Sequence, residues 1–359
     1  MIDLDRVRDN YRALRSALPT ARIRFAVKAS PVPQIIRLLA AEGAEFDVAS
    51  VGEIDQCIGL GIDPATLCYG NPIKKAAHIA HAHAAGVRRY AFDTEDDLAR
   101  IAEHAPGSHV ECRFLSSAPE SRTPFGAKFG CAPSEAIRLL VRARDLGLTP
   151  VGPYFHVGSQ QLDPVAWRIG VEQAGAIAEA LAVKDIPVNS VNIGGGLPIS
   201  YVDKAPELSE LGAVIADAVA RHLPEHTDLV VEPGRALVGS AGVIHAEVVN
   251  VRTAPDGRRW IYLDIGRYNG MAETENEYIA YRIETSRDGD TSDEAVIAGP
   301  TCDGDDVLYQ RTRVLLPTTL RAGDPVRILD TGAYTASYSS VSFNGFPPLT
   351  VHVIGAERE

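Results

Sequence analysis

A chain of 359 residues is long enough for one large domain and a smaller one, each with its own core. Charged residues at 23% and apolar residues at 45% fit an ordinary folded protein, and a net charge of -12 argues against the basic footprint of a nucleic-acid binder. No apolar run reaches membrane-span length, the start Met1-Ile2-Asp3-Leu4-Asp5-Arg6 lacks an export signal's basic and apolar regions, and five cysteines without CxxC spacing argue for reduced thiols in a cytoplasmic setting.

Short β-branched or apolar runs predict strands at 22–27, 45–49, 66–69, 88–92, 109–114, 150–157, 188–193 and 228–232. Between them lie helical periodicities. Ile35, Ile36, Leu38 and Leu39 share one helix face, and Ile137, Leu139, Leu140, Ala143 and Leu146 share another. This α/β alternation is the arithmetic of a (β/α)₈ barrel. A doubly wound open sheet competes with it, but similar spacing of all eight strands favours closure. The segment from Ser116 to Gly126, rich in Ser, Pro and charge, reads as a mobile loop after the fifth strand.

Beyond residue 237 the texture changes. Runs at 243–249, 260–263, 326–329 and 349–354 are joined by turn chemistry, clearest at Pro255-Asp256-Gly257. The predicted organisation is a barrel over 1–236 and a mostly antiparallel β domain over 237–359.

Barrel enzymes gather their chemistry at the C-terminal strand ends, where the following loops converge. In order these ends present Lys28, Asp47, Asn71, Asp93, Arg113, His156, Gly194-Gly195-Gly196 and Glu232-Pro233-Gly234-Arg235. Each has an ordinary structural alternative: Asp47 and Asp93 suit helix caps, Arg113 an ion pair, and His156 a hydrogen-bonded core position. Three consecutive glycines expose backbone N–H groups that would cradle an anion beside a helix start. Arg235 would complete a phosphate site. Neither GxGxxG nor a Walker motif is present, so nucleotides lose ground. A strand-end lysine, a phosphate site and a lone carboxylate together suggest pyridoxal 5′-phosphate, which needs an amine partner, a phosphate cup and an acid at its ring nitrogen.

The motifs Ala26-Val27-Lys28-Ala29, Phe46-Asp47-Val48-Ala49-Ser50, Phe155-His156-Val157-Gly158-Ser159-Gln160, Ile193-Gly194-Gly195-Gly196 and Glu232-Pro233-Gly234-Arg235 resemble those of the fold-type III pyridoxal-phosphate decarboxylases. That group includes ornithine, lysine, diaminopimelate and arginine decarboxylases and shares its barrel with alanine racemase. In the C-terminal half, Gly299-Pro300-Thr301-Cys302-Asp303-Gly304, Gly332-Ala333-Tyr334-Thr335 and Phe343-Asn344-Gly345-Phe346 resemble the ornithine decarboxylase branch. The resemblance spans nearly the whole chain in the expected order.

The resemblance implies a role for each matching position. Lys28 would carry the cofactor, His156 would stack on its ring, and Glu232 would pair with the ring nitrogen. A racemase of this fold uses arginine there, so Glu232 argues for decarboxylation. Ser159, Gly195, Gly196, Arg235 and Tyr334 would hold the phosphate, with Asp47, Glu53 and Arg113 flanking the cofactor. Cys302 would return a proton to the substrate carbon. Asp303 would meet a distal ammonium, with Phe343 beside it. Cys302 and Asp303 would enter the partner subunit's active site, implying a homodimer whose interface Lys128 and Asp306 bridge. Neither a nucleic acid nor a membrane is an expected partner.

Two departures stand out. The second substrate-binding acid of eukaryotic ornithine decarboxylases lies in a Tyr-Asp-His-Ala stretch. Here Met271-Ala272-Glu273-Thr274-Glu275-Asn276-Glu277-Tyr278-Ile279-Ala280-Tyr281-Arg282 takes its place, with Glu277 the candidate acid. The N-terminus is also short for the family, so either it is trimmed or the β domain lacks a strand. The expected reaction is decarboxylation of a basic amino acid, L-ornithine first, with lysine or a modified basic amino acid as alternatives. A non-catalytic binding protein like the antizyme inhibitors is the competing class.

Overall fold

The computed structural model describes residues 1–124 and 126–355, and its chain divides into two compact units. One comprises Arg8–Pro198 and Pro206–Gly234; the other comprises Met1–Val7, Ile199–Ala205 and the chain from Arg235 on.

The first unit is a closed parallel barrel of eight strands: Arg22–Ala26, Glu45–Val48, Leu67–Tyr69, Arg89–Phe92, His109–Arg113, Thr149–Tyr154, Ser190–Asn192 and Asp228–Val231. Closure removes every free strand edge, and helices cover the outside, so these strands are mostly buried and rich in apolar residues. Local signals set the helix starts. Pro33 opens the helix Pro33–Ala41, and the Ser50 hydroxyl accepts the Glu53 N–H at the start of Val51–Gly59. Phe25, Phe46, Phe92, Phe114, Phe155 and Trp167 are fully buried between strands and helices. The sixth strand stops at Tyr154, before the predicted end at 157. The loop expected to be mobile is tied down at several points: the Ser117 N–H donates to Gln173 Oε1 (3.1 Å), Gln161 donates to Pro119 O (2.9 Å), and Thr123 exchanges backbone bonds with Ser159. Phe125 lies outside the described residues.

The second unit holds a six-stranded sheet in the order Ile283–Thr285, Pro325–Leu329, Val243–Thr253, Arg259–Leu263, Ser292–Ala298 and Val307–Pro317. Its pairings are antiparallel except Arg259–Leu263 with Ser292–Ala298. Alternate residues of Val243–Thr253 turn inward at its start, and Ile244, Val248, Ile261, Ile297, Leu308 and Ile328 form the core. Gly257, at φ 84°, closes the predicted hairpin between Val243–Thr253 and Arg259–Leu263. Of the predicted run at 349–354 only Val353–Ile354 is a strand, and it pairs in parallel with Ile2–Asp3. Among the described residues no helix is long and apolar enough to cross a membrane.

Candidate active site

In the barrel unit, register brings the first two strand ends together. Ala26 pairs with Asp47, so the short 3₁₀ turn Val27–Ala29 carries Lys28 over the neighbouring acid. Lys28 Nζ lies 2.8 Å from Asp47 Oδ2. The lysine is exposed and Asp47 is 4% exposed, so a fixed anion holds a reachable amine. Among the described residues Asp47 Oδ1 is buried without a hydrogen bond, and it packs against Gly70, where an added Cβ would sit 1.9 Å from that oxygen. Asp47 is therefore no helix cap; Ser50 has that role. Glu53, expected beside the cofactor, accepts the Ala49 N–H at 2.6 Å. Burial, helped by the nearby Asp47 charge, raises its pKa.

Asp93 likewise caps nothing. Thr94 caps Glu95–His104, and Asp93 instead accepts the Gly130 N–H at 2.7 Å. The Arg113 guanidinium lies over Phe129 and Tyr154, 4.9 and 5.3 Å from their ring centroids. His156 Nδ1 accepts the Gly158 N–H at 2.9 Å, which puts any single ring proton on Nε2. Burial, then the charges of Arg113 and Lys28, hold its pKa well below the ordinary value. The imidazole is a neutral, flat surface.

The glycine triplet is required by space. An added Cβ would meet Phe155 O at 2.4 Å from Gly194, Glu232 O at 2.6 Å from Gly195 and Gly158 O at 2.3 Å from Gly196. Gly194 and Gly196 also have φ of 67° and 89°, where side chains are strained. No helix starts here; the next begins at Leu208, which corrects the expected helix-start cradle and removes any helix-dipole contribution.

Glu232, just past the eighth strand, is 4% exposed, and its Oε1 accepts from Asn192 Nδ2 at 2.6 Å. Arg24 Nη1 is 3.7 Å away. Burial, then repulsion from Asp47, pushes the Glu232 carboxyl up to about 7 against the pull of Arg24. These positions fit pyridoxal phosphate: a buried acid sits beyond the same sheet end as the lysine, and the glycine turn packs directly beside it, Gly195 against the Glu232 backbone.

In the second unit Arg235 is 3% exposed, and its fork is filled. Nη2 and Nη1 donate to Glu273 Oε1 and Oε2 at 2.5 and 2.7 Å, and Nη1 also donates to the Tyr201 hydroxyl at 2.6 Å. Tyr334, at φ 55°, lies with its ring 5.1 Å from Arg235 Cζ. The acid that meets a site residue from the 271–282 stretch is thus Glu273. Glu277, the sequence choice, accepts the backbone N–H groups of Gln310, Arg311 and Thr312 and is committed to that strand. Cys302 is exposed, and both its Sγ and its N–H donate to Asn344 Oδ1, at 3.3 and 3.0 Å. Asp303 Oδ1 accepts the Asp305 N–H, and Phe343 packs on Tyr268 with ring centroids 4.5 Å apart. Lys128 is exposed in the barrel unit. Asp306, expected to bridge an interface, is 2% exposed and accepts from the Arg267 N–H and from the N–H and hydroxyl of Thr301.

The profile described as "Pyridoxal-dependent decarboxylase, pyridoxal binding domain" matches residues 4–239. The chain belongs to the pyridoxal-dependent decarboxylase family. Its cofactor is pyridoxal phosphate. The chain is 33% identical to a lysine/ornithine decarboxylase of Selenomonas ruminantium over 344 residues, covering 96% of this chain and 86% of that one. It is 30% identical to antizyme inhibitor 2 of Xenopus laevis over 365 residues, covering 97% of this chain and 78% of that one. The structure of a lysine/ornithine decarboxylase from Vibrio vulnificus complexed with cadaverine superposes with a TM-score of 0.90 at 30% identity, covering 99% and 94% of the two chains. The barrel with its mostly antiparallel second sheet is the fold-type III arrangement expected from the sequence.

Proposed function

We propose that this decarboxylase acts on a basic diamino acid, L-ornithine first and lysine second, as a homodimer with shared active sites. The observation that carries the chemistry is the buried Glu232 carboxylate beyond the same sheet end as the Lys28–Asp47 pair. Bound pyridoxal phosphate supplies an electron sink for the bond pair left behind when CO₂ departs.

The chain's own residues do the rest. Lys28 Nζ is the amine that carries the cofactor, and Asp47 orients it. Ser159, Gly195, Gly196 and Tyr334 hold the phosphate, and Arg235, whose terminal nitrogens are engaged by Glu273 and Tyr201, adds its positive charge beside it. Neutral His156 offers a face to the ring without adding positive charge, and Arg113 flanks it. Glu232 keeps a proton at the ring nitrogen. Cys302 Sγ then delivers a proton to the substrate Cα. Asp303 meets the distal ammonium through a charge-assisted hydrogen bond, with Phe343 along the aliphatic stem. Cys302 and Asp303 serve the partner subunit's site.

Relatives bearing both names, lysine and ornithine decarboxylase, support keeping lysine beside ornithine. The antizyme-inhibitor relative supports a binding-only reading. Against that reading stands the retention of Lys28 and Cys302, which such a protein has no reason to keep. The deciding measurement is CO₂ release from ornithine, lysine, arginine and diaminopimelate by the loaded enzyme. Release from ornithine or lysine is expected; release from none of the four overturns the proposal. Sedimentation at micromolar concentration is expected to give a dimer.

A further inference from the structure

Behind Glu232 the barrel interior contains a charged cluster that the reaction as described does not use. Arg24 on the first strand is fully buried, and its Nη1 lies 2.8 Å from Glu111 Oε1 on the fifth strand. Its Nε is 3.2 Å from Glu45 Oε2 on the second. First and fifth strands face each other across a closed eight-stranded barrel, so side chains that meet between them fill its interior.

Asn192 joins this cluster to the site. Its Nδ2 donates to Glu111 Oε2 at 2.9 Å and to Glu232 Oε1 at 2.6 Å, while its Oδ1 accepts the Gly194 N–H at 2.9 Å. Only this orientation of the amide works. Turned over, it would set an oxygen against two carboxylates and an NH₂ against an N–H. One amide therefore ties the acid, the glycine turn and the ion pair together.

The burial demands an explanation. One guanidinium faces three carboxylates, those of Glu45, Glu111 and Glu232. A buried ion pair contributes little net stability compared with apolar packing, because both charges lose their water. The cluster does supply Glu232 with a fixed counter-charge and a fixed orientation. Its Oε1 is engaged by Asn192.

We propose that Arg24, Glu111 and Asn192 form a positioning set for Glu232: the amide pins one carboxylate oxygen, the guanidinium holds the group's negative charge in place, and the other oxygen is presented to the cofactor's ring nitrogen. The inference rests on the reading of Glu232 given above. Burial, Asp47 and Glu111 push the Glu232 carboxyl toward its neutral form, and Arg24 and Asn192 oppose them, which is the direction a charge-holding role requires.

The test titrates cofactor-free protein with pyridoxal phosphate and follows the absorbance of the lysine-bound cofactor, with folding checked by circular dichroism. The variant Arg24→Met/Glu111→Gln removes one charge of each sign, leaving the net charge of the interior unchanged. Its dissociation constant is expected to rise about tenfold, the equivalent of one pKa unit of lost interaction, while Arg24→Lys, which keeps the cation, stays within about threefold of wild type. Wild-type affinity in the folded double variant overturns the inference. So does an equal loss in Arg24→Lys, since that would mark a general packing defect. Should the double variant fail to fold, Asn192→Ala is measured in its place with the same tenfold expectation, and wild-type affinity there likewise overturns the inference. A wild-type protein that develops no cofactor absorbance would instead defeat the reading of the site itself.

Discussion

Glu273 closes a two-point ion pair on Arg235, with Nη2–Oε1 and Nη1–Oε2 distances of 2.5 and 2.7 Å in a setting almost without solvent. The parallel fork is the strongest geometry available to a guanidinium and a carboxylate, and it fixes the plane in which Arg235 lies. Removing one partner leaves a buried charge uncompensated. Glu273→Ala is expected to lose about 3 kcal/mol of stability, read from urea unfolding, whereas Glu273→Asp retains part of it. A loss under about 0.5 kcal/mol, the size typical of an exposed pair, would contradict the structural role.

Gly70 is fixed by its neighbour. A methyl group there would lie 1.9 Å from Asp47 Oδ1, and Asp47 is the residue that holds Lys28 Nζ. Gly70→Ala is therefore expected to displace the Asp47 carboxylate at a cost of about 1–3 kcal/mol and to weaken pyridoxal phosphate binding. Differential scanning calorimetry and cofactor titration check the two effects. Unchanged binding in Gly70→Ala would separate Asp47 from the lysine's function.

Glu277 gives a pH signature. Burial alone would raise its pKa, but the N–H groups of Gln310, Arg311 and Thr312 bring it down to about 2 from an ordinary 4.5. A depressed carboxyl contributes stability that is fully present above its unfolded value and lost as pH falls through the folded one. The window is thus pH 4.5 down to about 2. Glu277→Gln is expected to be about 1 kcal/mol less stable at pH 7, with the gap to wild type shrinking across that window. A gap that stays constant with pH would show that the charge is immaterial.

The strands were legible because parallel strands buried on both faces are rich in apolar residues, and Phe25, Phe46 and Phe92 are such positions. The sixth ran past its true end because Phe155 continues the apolar run, and no residue type marks where pairing stops. Lys28, Asp47 and Glu232 were legible as charged residues at strand ends. Arg24 and Glu111 were not. Period-two alternation separates the faces of a strand, but it does not say that charged side chains occupy the interior one. Choosing Glu277 over Glu273 failed for a related reason. The acids at 273, 275 and 277 lie in one short stretch, and a backbone with positive φ at Asn276 and Glu277 decides which way each points.

Cys302 is separable from cofactor binding. Its thiol is exposed and held by Asn344 Oδ1, so Cys302→Ala removes the proposed proton donor with the loss of one side-chain hydrogen bond. Pyridoxal phosphate affinity is expected to remain at the wild-type value, while the amine product falls by about a hundredfold or gives way to misprotonated product. Product analysis by mass spectrometry distinguishes the two. Loss of cofactor from this variant would contradict the assigned role.

Glu232 makes the opposite pH prediction to Glu277 in cofactor-free protein. Its carboxyl is pushed up to about 7, first by burial and then by Asp47, from an ordinary 4.5. Folding therefore favours the protonated form. That contribution is complete below pH 4.5 and disappears as pH rises through about 7. An amide cannot ionise, so Glu232→Gln is expected to flatten the fall in melting temperature between pH 4.5 and about 7, while cutting decarboxylation by about a hundredfold or more once cofactor is added. The two effects pull apart stability and catalysis at one residue. If Glu232→Gln melts with the same pH slope as wild type, the buried acid is already ionised at neutral pH without its cofactor.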